Sequence, residues 1–359
     1  MLENELKLGF GCMRLPMEGD KVDLTAFSKM IDSFMAAGGR YFDTAHNYIN
    51  EQSEPAIRRC LVERYPRESY LLTTKLTNLY YEVAEDVPAI FAKQLETCGV
   101  EYFDFYLCHA MSEARYEKGL RCKIFDYLQE FKQQRKIRHI GISFHDTPEV
   151  LERILKEQPC IEIVQLQFNY ADYDNPDVQS MKCYEVCEKY GKPVIVMEPV
   201  KGGKLVELPK EGREVLDELG QGSYASYALR YCASFENIVM ILSGMSNQAQ
   251  MEDNLATMKE VKPLTEQEFD AVAQVRKILR ESQQIPCTDC RYCTDVCPQN
   301  IAIPQLFAAQ NARMRLDAWK PVETASPLSC VDCGACENTC PQHLPIRNLL
   351  KRTMPVVKA

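Results

Sequence analysis

Eight cysteines within the last 73 residues give the strongest chemical signal in this 359-residue chain. They form CTDCRYCTDVCP (Cys287, Cys290, Cys293, Cys297) and CVDCGACENTCP (Cys330, Cys333, Cys336, Cys340), two copies of one C-x2-C-x2-C-x3-C-P run. Thiolates at that spacing ligate cubane iron–sulfur clusters, because three closely spaced sulfurs can face one cluster. Structural zinc sites pair C-x2-4-C and give no role to a third Cys or a following Pro. The other nine of the 17 cysteines are scattered through residues 1–286. An odd total in a chain whose start lacks the pattern of an export signal argues against a disulfide framework.

A second group carries acid–base chemistry. Asp43 in YFDTAHNY, Lys75 in LLTTKL and His109 in FYLCHA each close a short apolar run, and Tyr48 lies just beyond the first. A tyrosine hydroxyl titrates near 10 and needs tuning to work at neutral pH. A neighbouring ammonium lowers its pKa, a carboxylate keeps that ammonium charged, and a neutral imidazole can orient a carbonyl oxygen beside it. Asp43 or Lys75 alone reads as a cap or a surface ion pair, and His109 alone as a hydrogen-bonded core residue; their joint occurrence on three consecutive strand ends favours function. His46 reads equally as a site liner or a loop residue.

These ends must be brought together by the elements before them. Apolar runs at Leu8–Met13, Arg40–Thr44, Tyr70–Lys75, Phe103–Cys108, His139–Ser143, Ile163–Phe168, Val194–Glu198 and Val239–Gly244 read as buried parallel strands. Helical spacing follows between them, at Phe27–Phe34, Glu117–Gln134 and Val150–Glu157. Eight such units over about 280 residues predict an α/β fold, a (β/α)8 barrel whose chemistry lies at the C-terminal rim of the strands. An open doubly wound sheet would carry a Gly-rich fingerprint that Gly9-Phe10-Gly11 does not complete. The cysteine shift near residue 285 sets the barrel at 1–283 and a cluster-bearing tail at 284–359. Ile303–Leu316, within the 32 residues between the cysteine runs, has helical spacing and is expected to pack on the barrel.

Composition removes other classes. Hydrophobic residues make up 46% and charged residues 26%, so the chain is globular. A formal charge of −9 lacks the basic face of a nucleic-acid binder. No apolar run approaches the roughly 18 residues of a membrane span. Many free thiols fit a reducing cytoplasm. Cys183 and Cys187, four apart in MKCYEVCEKYG, read as buried packing.

The first 250 residues or so resemble the aldo/keto reductases, through LGFGCMRLP, YFDTAHNY, LTTKL, EYFDFYLCHA, IRHIGIS, VQLQFNY, VIVMEPVKGG and ILSGMSNQAQMEDNL. The resemblance implies a (β/α)8 oxidoreductase that reduces carbonyls with NADPH or NADH. Its tetrad falls on Asp43, Tyr48, Lys75 and His109, with Tyr48 as proton donor. Its nicotinamide contacts fall on Ser143 and Gln165, and its dinucleotide loop on Ser243, Gly244, Ser246 and Asn254. Two departures stand out. Phe144 follows Ser143 where the family has Asn. The loop SGMSNQAQMEDN holds no Lys or Arg, with Gln250 where an Arg is common. Phosphate recognition then falls to amides near Ser246 and Asn247.

The tail resembles a two-cluster ferredoxin domain. In that family the fourth cysteine of each run serves the other cluster. The resemblance therefore implies one [4Fe–4S] on Cys287, Cys290, Cys293 and Cys340, and a second on Cys330, Cys333, Cys336 and Cys297.

The expected function is reduction of a small-molecule aldehyde or ketone, with the clusters structural or regulatory. Two alternatives stand beside it. In one, the clusters exchange electrons with a barrel-bound flavin such as FMN or with the substrate, served by a partner such as ferredoxin or flavodoxin. In the other, an inactive barrel carries an electron-transfer module. The loops after His109 and after Val200 are the expected pocket walls, with Tyr80 and Tyr81. Arg115 or Lys201 there would suit an anionic substrate, although solvated surface is the expected place of such a charge.

Overall fold

The computed structural model describes residues 2, 5–315 and 319–356, without the side chains of 354 and 355. Two compact units emerge. The first comprises Met1–Asp174, Gln179–Pro199 and Ala225–Leu264; the second comprises Asn175–Val178, Val200–Tyr224 and Thr265–Ala359.

The first unit is a closed parallel barrel of eight strands. They are β1 (Leu8–Gly11), β2 (Tyr41–Asp43), β3 (Leu71–Leu76), β4 (Phe103–Met111), β5 (Ile137–Phe144), β6 (Ile163–Gln167), β7 (Val194–Met197) and β8 (Ile238–Ser243). β8 closes onto β1, with Leu8 paired to Ile241. All eight lie on the runs read from sequence, with ends moved by three residues at most. A two-stranded hairpin, Met17–Glu18 with Lys21–Val22, precedes the first helix.

The barrel interior is filled by Tyr41, Phe105, Leu107, Ile163, Ile195, Met240 and Leu242, with Leu2 among them. Side chains alternate across a strand. Stepping two residues from Tyr41 reaches Asp43, from Thr73 reaches Lys75, and from Leu107 reaches His109. Stepping from Gly141 reaches Ser143, and from Ile163 reaches Gln165. The parity that fills the barrel therefore turns five polar residues into its C-terminal end. Lateral register matches: Asp43 pairs with Thr73, Lys75 with Leu107 and Ser143 with Gln165. Gly141 makes room for the packing, since a Cβ there would lie 2.5 Å from Leu107 Cδ2 and 2.8 Å from Ile163 Cγ2.

Helices cover the outer face. Leu24–Ala36 starts at Asp23, whose carboxylate accepts from the amides of Thr25 and Ala26. The single helix expected over Glu117–Gln134 is instead two, Glu113–Arg121 and Ile124–Gln133. Lys123 between them is left-handed, with φ of 52°. Arg121-Cys122-Lys123 holds no Gly or Pro, the residues that ordinarily mark such a break.

The second unit is built on a repeat. Asp289, Arg291 and Asn300 have positive φ, and so do Asp332, Gly334 and His343, each 43 residues later. The short helices Tyr292–Asp295 and Ala335–Thr339 begin at the same offset. Between the copies runs the helix Ile303–Met314, so the expected end at Leu316 lies outside the described residues. Its buried face joins Ile303, Leu306 and Phe307 to Ile285, Leu344, Ile346 and Leu350 in one core. Asn311 on that helix accepts from the Ile285 amide at 2.8 Å and donates to its carbonyl at 2.7 Å. This fixes the chain just before the first cysteine run. Val200–Tyr224 folds with this unit: Lys201 is buried and donates to Gln342 Oε1 at 3.2 Å.

Gly141→Ala overpacks the barrel interior, and such insertions cost about 1–3 kcal/mol. The variant is expected to unfold at lower urea concentration, followed by far-UV circular dichroism. An unchanged midpoint would mean that Leu107 and Ile163 yield freely.

Candidate active site

Lys75 and Asp43 are both buried, and the Lys75 Nζ donates to Asp43 Oδ1 at 2.6 Å. The same ammonium donates to the Thr44 carbonyl at 2.8 Å and to the Tyr48 hydroxyl oxygen at 3.0 Å. An ammonium has three protons to donate. These three contacts use them in three directions. Because Lys75 donates to the phenol oxygen, the Tyr48 hydrogen must point elsewhere. Gln165 donates to the other Asp43 oxygen at 3.1 Å, so both carboxylate oxygens are engaged.

Burial governs the electrostatics. It pushes Asp43 up, against the pull of Lys75, and pushes Lys75 down, against the pull of Asp43. It raises the Tyr48 phenol well above its ordinary value, with Asp43 and Glu198 adding in the same direction. Tyr48 thus holds its proton through neutral pH. Burial first, then the charges of Lys75 and Arg115, hold His109 well below the ordinary imidazole range, so it is neutral there. Its Nδ1 shares a hydrogen bond with Thr77 Oγ1 at 2.7 Å. Its ring meets the Tyr48 ring edge-on at 5.9 Å.

The other residues read from sequence fall into two groups. Ser143 and Gln165 lie side by side on β5 and β6. Ser143 Oγ accepts from the Ala110 amide at 2.6 Å. Ser243 and Asn254 form a second group, with Asn254 donating to Ser243 Oγ at 2.8 Å. Gly244 and Ser246 adjoin it. Ser246 Oγ donates to the Arg14 carbonyl at 2.9 Å. Its amide donates to Gln250 Oε1 at 2.8 Å, so the glutamine in the arginine position folds back onto its own loop. Tyr81 is buried, Tyr80 donates to Glu51 at 2.9 Å, and Arg115 donates to the Ala110 carbonyl at 2.6 Å.

Sequence reasoning missed several neighbours. Arg14 packs its stem beside Gly244, where an added Cβ would lie 3.4 Å from Arg14 Cβ. Its guanidinium meets Glu198 at 3.5 Å. Glu54 is fully buried and pairs with His46 at 2.8 Å. Arg14 stands in the quoted LGFGCMRLP segment and could have been marked there. Glu54 follows Ser53 in a polar stretch that gives no sign of burial.

In the second unit the eight cysteines border two small cavities. Cys287, Cys290, Cys293 and Cys340 line the first, with Thr288 and Gln342. Cys297, Cys330, Cys333 and Cys336 line the second. The fourth cysteine of each run thus faces the cavity of the other run. Burial pushes the Cys287 thiol up to about 11 and Cys293 up to about 12. Backbone amides oppose this at Cys340, where those of Leu344, Gln342 and His343 point at the sulfur. Among the described residues, no group of three or more His, Cys, Asp or Glu side chains is arranged to hold a single metal ion. The four-sulfur cavities suit a larger polynuclear group.

Comparison with known proteins agrees with this architecture. The sequence profile of the aldo/keto reductase family matches residues 7–277. That of a 4Fe-4S dicluster domain matches residues 286–345. L-galactose dehydrogenase of Arabidopsis thaliana is 26% identical over 76% of this chain and 90% of its own length. A luvungin aldo-keto reductase of Citrus sinensis, specific in name to (1S)-1,7-diacetoxy-luvungin A, is 26% identical over 69% of this chain and 79% of its own. Among solved structures, the holo form of an aldo-keto reductase from Bacillus halodurans superposes with a TM-score of 0.62 at 24% identity, over 77% of this chain and 95% of that one. One from Klebsiella pneumoniae in complex with NADPH gives 0.61 at 14% identity, over 76% and 90%. No helix among the described residues is long and apolar enough to cross a membrane. The barrel and its profile match make this chain an oxidoreductase of the aldo/keto reductase family, with a 4Fe-4S domain at its C-terminal end.

Proposed function

We propose that the protein reduces an aldehyde or ketone with NADPH or NADH, and that its tail carries two [4Fe–4S] clusters. The observation that carries the first part is the buried contact series Asp43–Lys75–Tyr48, with the Tyr48 proton left to a partner outside it. A reduced nicotinamide, when bound, supplies a hydride to the carbonyl carbon. Tyr48 gives its proton to the carbonyl oxygen, so the C=O becomes a CH–OH. Lys75 stabilises the phenolate left behind, and Asp43 holds Lys75 in place as an ammonium. Neutral His109 orients the carbonyl oxygen beside Tyr48.

Ser143 and Gln165 would face the nicotinamide. Ser243, Gly244, Ser246 and Asn254 would border the rest of the dinucleotide. Arg14 brings to that loop a guanidinium that its own sequence lacks. The crossed cysteine sets around the two cavities support two clusters, each of which would release thiol protons on assembly. Abundant free thiols fit a reducing cytoplasm, and one-electron carriers such as ferredoxin or flavodoxin are the partners that clusters of this kind would serve.

A second reading couples the clusters to the barrel through a flavin such as FMN. The engaged amide of Ser246 and the absence of Lys or Arg from that loop favour it. Anaerobic protein treated with NADPH or NADH separates the two by EPR. The reductase reading expects carbonyl turnover with clusters that only dithionite reduces. Cluster reduction by the nicotinamide alone would replace it with the coupled reading.

Two further outcomes are expected. Tyr48→Phe lowers carbonyl turnover by roughly 10²–10⁴-fold, the usual contribution of a positioned acid. Dinucleotide affinity, read by fluorescence titration, stays within about twofold because the phenol oxygen is not one of the groups assigned to the dinucleotide. Turnover at the wild-type rate would remove Tyr48 as the acid. Cys287→Ala and Cys340→Ala each remove about half of the bound iron, and the double variant removes no more, because both serve one cluster. Near-complete iron loss in the double variant would place the two cysteines on different clusters.

A further inference from the structure

The turn that follows Tyr48 is strained. Ile49, Asn50 and Glu51 all have left-handed φ, at 53°, 50° and 65°. Left-handed backbone crowds the Cβ of an L-residue, and β-branched Ile is the least suited of the three. Such a turn persists only where its surroundings over-determine it. Gln52 accepts from the Val22 amide at 3.2 Å and donates to the Asp20 carbonyl at 2.9 Å. Glu51 accepts from Tyr80. Ser53 Oγ meets Thr44 Oγ1 at 2.7 Å and donates to the Cys12 carbonyl at 2.8 Å.

One contact of this turn reaches further inward. Glu54 is fully buried, and its Oε2 meets His46 Nδ1 at 2.8 Å. Its Oε1 accepts from Thr74 Oγ1 at 2.7 Å and from Gln94 Nε2 at 2.8 Å. The same Gln94 nitrogen donates to the Lys75 carbonyl at 3.1 Å, and Gln94 Oε1 accepts from Tyr106 at 2.6 Å. The carboxylate therefore joins the loop bearing Tyr48 to the strand bearing Lys75. His46, two residues before Tyr48, lies on its open side and carries the positive charge when protonated. Its side chain is 16% exposed, so it exchanges protons with water.

We propose that His46 and Glu54 form a positioning pair that holds the Tyr48 hydroxyl on the Lys75 ammonium, and that protonation of His46 tightens this hold. The proposal rests on the reading of Tyr48 and Lys75 as the reacting pair. The groups that face His46 are Glu54, Glu51, Lys93 and Tyr80. The Glu54 hydrogen bond holds the imidazole above its ordinary range, Glu51 helps, and burial and Lys93 oppose. A group with its folded pKa raised contributes stability below its unfolded pKa and loses it as pH rises through the folded value. The pair is therefore at full strength below about 6.5, the ordinary imidazole value, and fades above it.

The test uses the full chain with its clusters, labelled with ¹³Cε1-histidine and ¹³Cζ-tyrosine, and followed by NMR from pH 5 to 9. Comparison with His46→Asn and Tyr48→Phe assigns the two signals. The expected result is a Tyr48 signal that moves with the His46 midpoint in the wild-type protein and not in His46→Asn. Glu54→Gln is expected to lower the His46 midpoint, because the hydrogen bond that holds the imidazole up loses its charge. At pH 6, His46→Asn is expected to lower kcat about tenfold with KM within twofold, an effect of order 1.4 kcal/mol. A Tyr48 signal that stays flat while His46 titrates would overturn the proposal, and that result needs neither turnover nor a folded Glu54→Gln variant. Failure of the reading of Tyr48 as the reacting acid would show separately, as a Tyr48→Phe protein that reduces carbonyls at the wild-type rate.

Discussion

A buried ammonium needs a counter-charge, and Lys75 has one in direct contact, Asp43, itself buried on the neighbouring strand. Taking both ions out of water costs several kcal/mol per ion, and only short contacts with every other polar atom satisfied offset that cost. Here the lysine donates to Asp43, Thr44 and Tyr48, and the carboxylate also accepts from Gln165. Removing either ion strands the other in the barrel. The arrangement therefore demands that β2, β3 and β6 keep their register, which in turn demands a closed barrel. The contact proposed for the chemistry is thus also one that holds the strand register.

Period-two alternation is why so much of this was legible. The same parity that puts Tyr41, Leu107 and Ile163 into the barrel interior puts Asp43, His109 and Gln165 at its end. A reader who finds the strands finds the inward polar residues two steps on. What stayed hidden lies off the strands. Glu54 sits in a five-residue helix, SEPAI, and nothing local announces that its carboxyl turns inward. The break at Lys123 has no Gly or Pro to mark it. The folding of Val200–Tyr224 with the second unit depends on contacts to residues about ninety and more positions away, such as Thr288 and Gln342, which periodicity cannot reveal.

The cysteine runs were legible for a different reason. Their spacing is a ligand geometry, not a packing pattern, so it survives in a sequence with no regular element around it. The structure adds the crossing. With positive φ at the same three positions of each copy, the two loops trace the same path, and each fourth cysteine is carried across to the other cavity. Such crossing makes each cavity depend on both copies. Neither run completes a four-sulfur wall alone, so the proposed clusters would need the whole tail folded.

One glycine shows how closely the second unit is built around its first cavity. Gly202 has φ of 60°, and a Cβ there would lie 2.5 Å from the Thr288 carbonyl oxygen. Backbone meets backbone at that point, so no side chain is tolerated on either steric or conformational grounds. On one side of Gly202, buried Lys201 donates to Gln342. Thr288 and Gln342 both line the cavity of Cys287, Cys290, Cys293 and Cys340. That cavity therefore takes support from Val200–Tyr224 as well as from the cysteine loops. Excising the tail at the start of the cysteine runs would leave Thr288 and Gln342 without the segment that packs on them. The second unit is thus a fold that draws on a distant stretch of chain, and the cavity proposed for its first cluster draws on that stretch too.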